Sequence, residues 1–532
     1  MARYARTGQR YRHLTLDRAL RCSLVNIRSA TAGTVLAVAF FAVVVLARTV
    51  QPLVDGDVWW HLRAGEATLR DGAVPMTNTW TIAGEGYPWI SQDWLSNVVM
   101  ALIHDVGGDL GPTLLSLSFG AIVVLAFVVL WDAVRRRQPS TSTVGRVLAL
   151  GAGLVVAAPV LGVRVQTIDI LWIAVTVWLL WGYVADRRPG WLAALPLLAI
   201  AWANTHAAWP LLFALGGAVL VGEMLDLVLR RQVGRLAPLQ PSELAALGAA
   251  LVVSVPALLL NPNGPRLLAY PFSTAAISAH REFLFEWSAP DIGSFPGQVL
   301  FAFLLLVILP TLIIGRRHLR SADAFWLVGL SIMALTAIRF VIVIGPVGGA
   351  VAAVALAAGL AQVPALRRLR RLLAFVDRAP RNASQAGLNL ALAAIVGGAG
   401  VTVATLRVLP APHEAAIADA MPVRARAWLA DGDQAVRIFN VYAWGGYLGR
   451  EMPESRVYID GRSDIYGDAL IREYAESIAL ERDPFALLDR EEIDTVVFWP
   501  GTPLAGALDQ SLEWVRAYAD EQAAIWLRMD PG

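Results

Sequence analysis

Long apolar runs recur along the whole chain, and they restrict it to folds in which lipid or other helices cover nearly every helix face. A spanning helix needs roughly 20 mostly apolar residues, and about eleven runs fit that need. They lie near 31–50, 110–133, 144–163, 167–185, 190–203, 207–229, 243–260, 298–315, 323–340, 345–363 and 386–409. The fifth is short enough to tilt or to be partly re-entrant. Hydrophobic residues make up 57% of the chain and charged residues 16%, more apolar surface than a soluble core can bury. The near balance of 44 basic and 42 acidic side chains argues against a nucleic-acid partner, which would select a strongly basic face. The single cysteine, Cys22, cannot form an internal disulfide.

Charge orients these runs. All the basic residues are arginine, and seven of them, from Arg3 to Arg28, precede the first run in the manner of a signal anchor. If that stretch is cytoplasmic, alternate connections should be arginine-rich. They are, at Arg135–Arg137, Arg187–Arg188, Arg230–Arg231, Arg316–Arg317 and Arg367–Arg371. This reading makes 1–30 a cytoplasmic basic N-terminus, 31–410 a transmembrane domain with a long first outer loop at 51–109, and 411–532 an extracytoplasmic domain. Short strand-like runs at 437–440, 456–460 and 495–499, separated by helix-like stretches, give that last segment an α/β character. The sequon Asn382-Ala-Ser384 falls on the cytoplasmic side and reads as accidental. The polar residues of interest fall at the outer ends of the runs, which otherwise read as clean.

The first outer loop begins Asp55-Gly56-Asp57-Val-Trp59-Trp60-His61. Two carboxylates at this spacing can share a divalent cation, Mg or Mn, or leave one poised as a general base. Asp-Gly is equally a turn dipeptide carrying a solvated acidic pair. The adjoining tryptophans can stack on a sugar ring or anchor a helix in the interface. Asp93 can cap the helix that starts near Trp94 or join the same site. Arg164, with Gln166 beside it, offers a fork for phosphate, against the plainer reading of an arginine snorkelling to headgroups. Asn204 and His206 can donate to phosphate or sugar hydroxyls, Asn261-Pro-Asn263-Gly reads as a turn, and the loop after it carries His280, Glu286 and Trp287. Arg339, at the outer end of its run, is costly in lipid and calls for a polar cavity or a phosphate. In the tail, Asp460-Gly-Arg462-Ser-Asp464-Ile-Tyr466 can bind an acceptor glycan or fix the tail by ion pairs, and the second reading is preferred.

The string from Asp55 through Leu95, together with RVQ at 164–166, WANTH at 202–206, NPNG at 261–264, EWSAPD at 286–291, Arg339-Phe340 and VYIDGRSDIYG in the tail, resembles a large family of bacterial membrane proteins allied to the GT-C glycosyltransferases. The resemblance spans nearly the whole chain. It implies a mainly α, GT-C-like bundle in the bacterial plasma membrane that uses a sugar carried on a polyprenyl phosphate. The acceptor would be an envelope glycan, lipid or protein. By this resemblance Asp57 or Asp55 is the base or a metal ligand, and Arg164, His206 and Arg339 hold the lipid phosphate. His61, Trp59, Trp60, Asp93, Gln166, Asn204 and Glu286 complete the substrate-binding set. Where the family pattern has Arg-Pro-Gln this chain has Arg164-Val165-Gln166, a change in helix-end rigidity more than in chemistry. No Gly-rich phosphate loop or dinucleotide fingerprint is present. Two other classes stand beside this one: a non-catalytic glycan- or lipid-binding envelope protein, and a lipid-linked sugar transporter or flippase. The last would place ionisable residues near helix midpoints.

Overall fold

The computed structural model describes residues 30–529 apart from 235 and 433–435, so the basic stretch with Cys22 lies outside the described residues. Each of the apolar runs lies on a helix. Among the described residues, seven helices are long and apolar enough to cross a membrane by length and composition. Four shorter apolar helices, Ala32–Leu46, Gly190–Thr205, Pro241–Ala257 and Ser321–Thr336, coincide with the other runs. The protein is thus a polytopic helical membrane protein with a small sheet at its C-terminal end.

Residue size decides which helix takes the centre. Val341–Leu360 is built largely from Gly, Ala and Val, and it is buried along most of its length. Small side chains let neighbouring backbones approach closely where lipid supplies no hydrophobic drive. Ala383–Leu406 has only 17% of its apolar window buried and lies at the periphery. Asn382, the sequon asparagine, caps that helix by accepting from the Gln385 N–H at 2.9 Å.

The expectation of clean spans is corrected by three acids. Glu223 and Asp226 are fully buried on the helix Pro210–Val228, and Asp169 is buried at the start of Ile168–Asp186. Glu223 is bound by Arg320, and Asp226 accepts from the Ser321 hydroxyl at 2.6 Å. Nearby Asp323 takes Arg137 and the Trp181 indole. A charge in a bundle is tolerated when a partner is built in. These partners gather at one end of the bundle, and Asp169 belongs to the other.

The sheet contains β1 (Arg437–Asn440), β2 (Arg456–Val457), β3 (Thr495–Phe498), β4 (Trp514–Ala519) and β5 (Ala524–Arg528), ordered β2-β1-β3-β5-β4. β1 runs parallel to β2 and β3, while β5 pairs antiparallel with β3 and β4. The sequence signals at 437–440 and 495–499 correspond to β1 and β3, and only two residues of 456–460 form β2. The β4–β5 hairpin escaped the reading; its register shifts between Arg516 and Tyr518, which breaks the alternation that would reveal it.

The segment 51–109 joins bundle to sheet. The N–H groups of Ile82 and Ala83 donate to the Val457 and Tyr458 carbonyls, each at 2.9 Å, covering the exposed edge of β2. Beneath this contact Arg462 grips Asp460 with Nε and Nη2, the latter at 2.7 Å, and donates to Asn78 at 3.1 Å. The Tyr466 hydroxyl donates to Asp460 at 2.7 Å, and the Arg462 guanidinium lies 4.6 Å from the centre of the Trp89 ring. Of the two readings of Asp460, Arg462 and Tyr466, the one that fixes the tail is the one observed.

Candidate functional site

Asp57 opens the helix Asp57–Asp71, which closes on Gly72 in the left-handed conformation at φ 64°. An acid in the first turn faces the positive end of the helix dipole. Gly56 is right-handed, with φ −62°, so the turn asks for no glycine. The tail asks for it: a Cβ on Gly56 would lie 2.0 Å from the Ala443 carbonyl oxygen. A Cβ on Gly461 would lie 1.7 Å from Asp57 Oδ1. The Asp-Gly-Asp segment therefore sits directly under the sheet-bearing unit and is half-buried by it.

The two aspartates have different partners. Asp55 pairs with Arg164 and also accepts from the Asp57 N–H at 3.0 Å. Asp57 accepts from the Trp60 indole at 3.1 Å. Desolvation, then the adjacent Asp55 carboxylate, pushes the Asp57 carboxyl up to about 8. Among the described residues, no group of three or more His, Cys, Asp or Glu side chains is placed to hold a metal ion. With Asp55 committed to Arg164, the pair does not fit a resident Mg or Mn.

Arg164 reaches further. Its Nη1 lies 3.1 Å from Glu286 Oε2, and the other oxygen of Glu286 lies 3.6 Å from Arg339 Nη1. The Arg339 guanidinium stacks 4.0 Å above the Trp287 ring. Glu286, flanked by two arginines and near Gln166, is held below its ordinary pKa despite desolvation. Residues from three distant loops thus converge on two guanidinium groups beside Asp57.

His206 Nδ1 lies 2.7 Å from Asp169 Oδ2, and the other oxygen of Asp169 accepts from the Trp202 indole at 2.7 Å. Asp169 stands inside an apolar run, and an acid there is a signal in its own right that the polar clusters at the run ends obscure. Asn204 is fully occupied: it accepts from the Trp94 indole at 2.7 Å and donates to the Ile200 and Leu260 carbonyls. Asn261 donates to the Ala203 carbonyl at 2.7 Å, so the NPNG turn is clamped onto the same helix end. His61 is buried, its ring 3.5 Å from that of Trp60 and tilted 34° to it, and it is hydrogen-bonded to Asn97 at 2.7 Å. Desolvation drives it down to about 3, so it is neutral. Asp93 stands at the N-cap of Trp94–Gly107 without a side-chain capping bond, accepts from Asn97 at 3.2 Å, and is pushed up to about 6 by burial. Trp59 packs edge-on against Tyr447 at 5.0 Å, part of the seam with the tail. Asp464, also pushed up to about 6 by desolvation, bonds to Tyr270, a partner that the motif around it does not signal.

Two cavities flank this constellation. A groove of about 170 Å³, lined by Leu95, Ser96, Met100, Phe119 and Thr205, is almost wholly apolar and ends one residue from His206. A cleft of about 740 Å³ lies between Val54, Gly56, Trp444 and Trp499.

No family model matches the sequence, and no curated protein matches it either. Solved structures do resemble the fold. The archaeal oligosaccharyltransferase AglB from Archaeoglobus fulgidus, in complex with an inhibitory peptide and a dolichol-phosphate, has a TM-score of 0.54 at 10% identity, covering 87% of this chain and 69% of that one. The Archaeoglobus fulgidus oligosaccharyltransferase in complex with Zn and sulfate gives 0.51 at 13% identity, over 87% and 67%. ArnT from Cupriavidus metallidurans in the apo state gives 0.51 at 16% identity, over 92% and 96%. The chain therefore has the fold of the GT-C glycosyltransferases. At such identities the likeness speaks for architecture alone.

Proposed function

We propose that the chain is a membrane glycosyltransferase that moves a sugar from a polyprenyl-phosphate carrier to an acceptor on the outer face of the bacterial plasma membrane. The observation that carries this reading is the pair of guanidinium groups, Arg164 and Arg339, gathered around a single carboxylate beside Asp57. Guanidinium forks bind phosphate oxygens with two parallel hydrogen bonds. The apolar groove that reaches Thr205, the neighbour of His206 in sequence, offers the isoprenoid chain a seat. A carboxyl raised to about 8 suits a general base, whose best pKa lies near the working pH.

The step then runs as follows. Ionised Asp57 takes the proton of the acceptor hydroxyl as that oxygen bonds to the anomeric carbon of the donor sugar. The bond from that carbon to the phosphate oxygen breaks, and its electron pair stays on the polyprenyl phosphate. Arg164 and Arg339 neutralise the charge that develops there. Attack from the face opposite the phosphate inverts the anomeric centre. A transporter reading has less support, because Glu223 and Asp226 are locked to Arg320 and Ser321.

Mass spectrometry of lipids that copurify with the protein should find a polyprenyl phosphate. Transfer from polyprenyl-phosphate-linked sugars in proteoliposomes should fall by about 10²–10⁴-fold in Asp57→Asn, the usual worth of a general base. Unchanged transfer in that variant would remove Asp57 from the mechanism.

A further inference from the structure

We infer that Glu286 is a built-in stand-in for the donor phosphate, an anionic latch on the Arg164–Arg339 seat that the lipid-linked substrate must displace before it reacts. This inference rests on the proposed function, because the seat is the one assigned there to the donor. The geometry carries it. The two oxygens of Glu286 are divided between the guanidinium groups, at 3.1 Å from Arg164 and 3.6 Å from Arg339, as two oxygens of a bound phosphate would be.

Charge balance points the same way. Arg164 and Arg339 supply two positive charges, and Asp55 and Glu286 supply two negative ones. A phosphodiester brings one negative charge. Exchanging it for the Glu286 carboxylate leaves the seat neutral overall, whereas adding it beside Asp55 and Glu286 would place three anions against one pair of guanidinium groups.

The backbone around Glu286 allows the exchange. Glu286 sits in the short turn Phe285–Trp287, and both flanking residues, Leu284 and Ser288, are extended. The turn is pinned on either side: the Ile338 N–H donates to the Ser288 carbonyl at 3.0 Å, and Asp468 accepts from the Ala279 N–H at 2.6 Å. Phe285, next to the latch, is 63% exposed and faces away from the packed core. Rotation of the Glu286 side chain frees both guanidinium groups without breaking either anchor. Trp287 keeps Arg339 in place while it does so.

The test compares binding of undecaprenyl phosphate and of inorganic phosphate to the full-length protein in nanodiscs, for the wild type, Glu286→Gln, Glu286→Ala and Arg339→Ala. Thermal unfolding identifies any variant that fails to fold, and either substitution at Glu286 can carry the result. A seat blocked by its own carboxylate has its apparent affinity reduced by the fraction of time it is blocked. Removing the charge should therefore tighten undecaprenyl phosphate binding by at least about fivefold, through faster association. A carboxylate that merely supports the arginines would give weaker binding, the opposite sign. Equal or weaker binding in both Glu286 variants, with Arg339→Ala still impaired, overturns the latch and leaves the donor seat standing. Unchanged binding in Arg339→Ala overturns the seat, and the latch with it. Inorganic phosphate competing at equal concentration would overturn the lipid as the occupant.

Discussion

Asp57 and Glu286 interact through charge, and this makes the site's pH response specific. The Asp57 carboxyl is raised to about 8 by desolvation first, and then by Asp55 and Glu286, with Arg164 opposing them. If Asp57 must be ionised to act, transfer should rise with pH through an acid limb near 8. Neutralising a nearby anion favours ionisation, so Glu286→Gln should move that limb to lower pH. Rate profiles of the two proteins against pH would check this, and a limb at the same pH in both would separate Glu286 from Asp57. Much of this chemistry was visible in residue types: Asp55, Asp57, Arg164, Glu286 and Arg339 were all candidates from the sequence. What could not be read was who pairs with whom. Asp55 takes Arg164, and this alone turns a possible metal pair into one committed carboxylate and one poised one.

Glycines, more than polar groups, set the fit between elements. Gly461 lies against the first turn of the helix Asp57–Asp71, where a methyl group would stand 1.7 Å from Asp57 Oδ1. Gly461→Ala should destabilise the protein by about 1–3 kcal/mol, the typical cost of overpacking. If Asp57 is the base, it should also slow transfer, since the Asp57 carboxyl or the tail loop has to shift. Thermal unfolding in detergent would measure the first effect, and a melting temperature equal to wild type would show that the loop gives way freely. The sequence exposed the helices through their length and apolarity, yet it hid the β4–β5 hairpin behind its irregular register. It also gave Asp-Gly the look of a turn. The glycine is required instead by Ala443, a residue nearly four hundred positions away.

Across the whole molecule, the sheet-bearing unit closes the site, and Arg462, paired with Asp460 of the same unit, holds it there through Asn78 and the Trp80 and Trp89 rings. Arg462 and Asp460 are almost without solvent contact, so Arg462→Ala would leave Asp460 buried and unpaired. Breaking such a pair costs about 3–5 kcal/mol. The tail of that variant should become sensitive to limited proteolysis while the bundle stays intact, and a wild-type digestion pattern would argue against the clamp. The sequence by itself determined the membrane class and the mainly helical architecture, because apolar length is a local property of a chain. Only the tertiary structure decided that Asp55 is tied to Arg164, that Asp169 serves His206, that Asn204 is spent on Trp94 and the adjoining backbone, and that Glu286 occupies the space between two arginines. Those pairings depend on which loops meet in space. Loop encounter is set by the packing of the helices between them, and no stretch of sequence around any one of these residues records it.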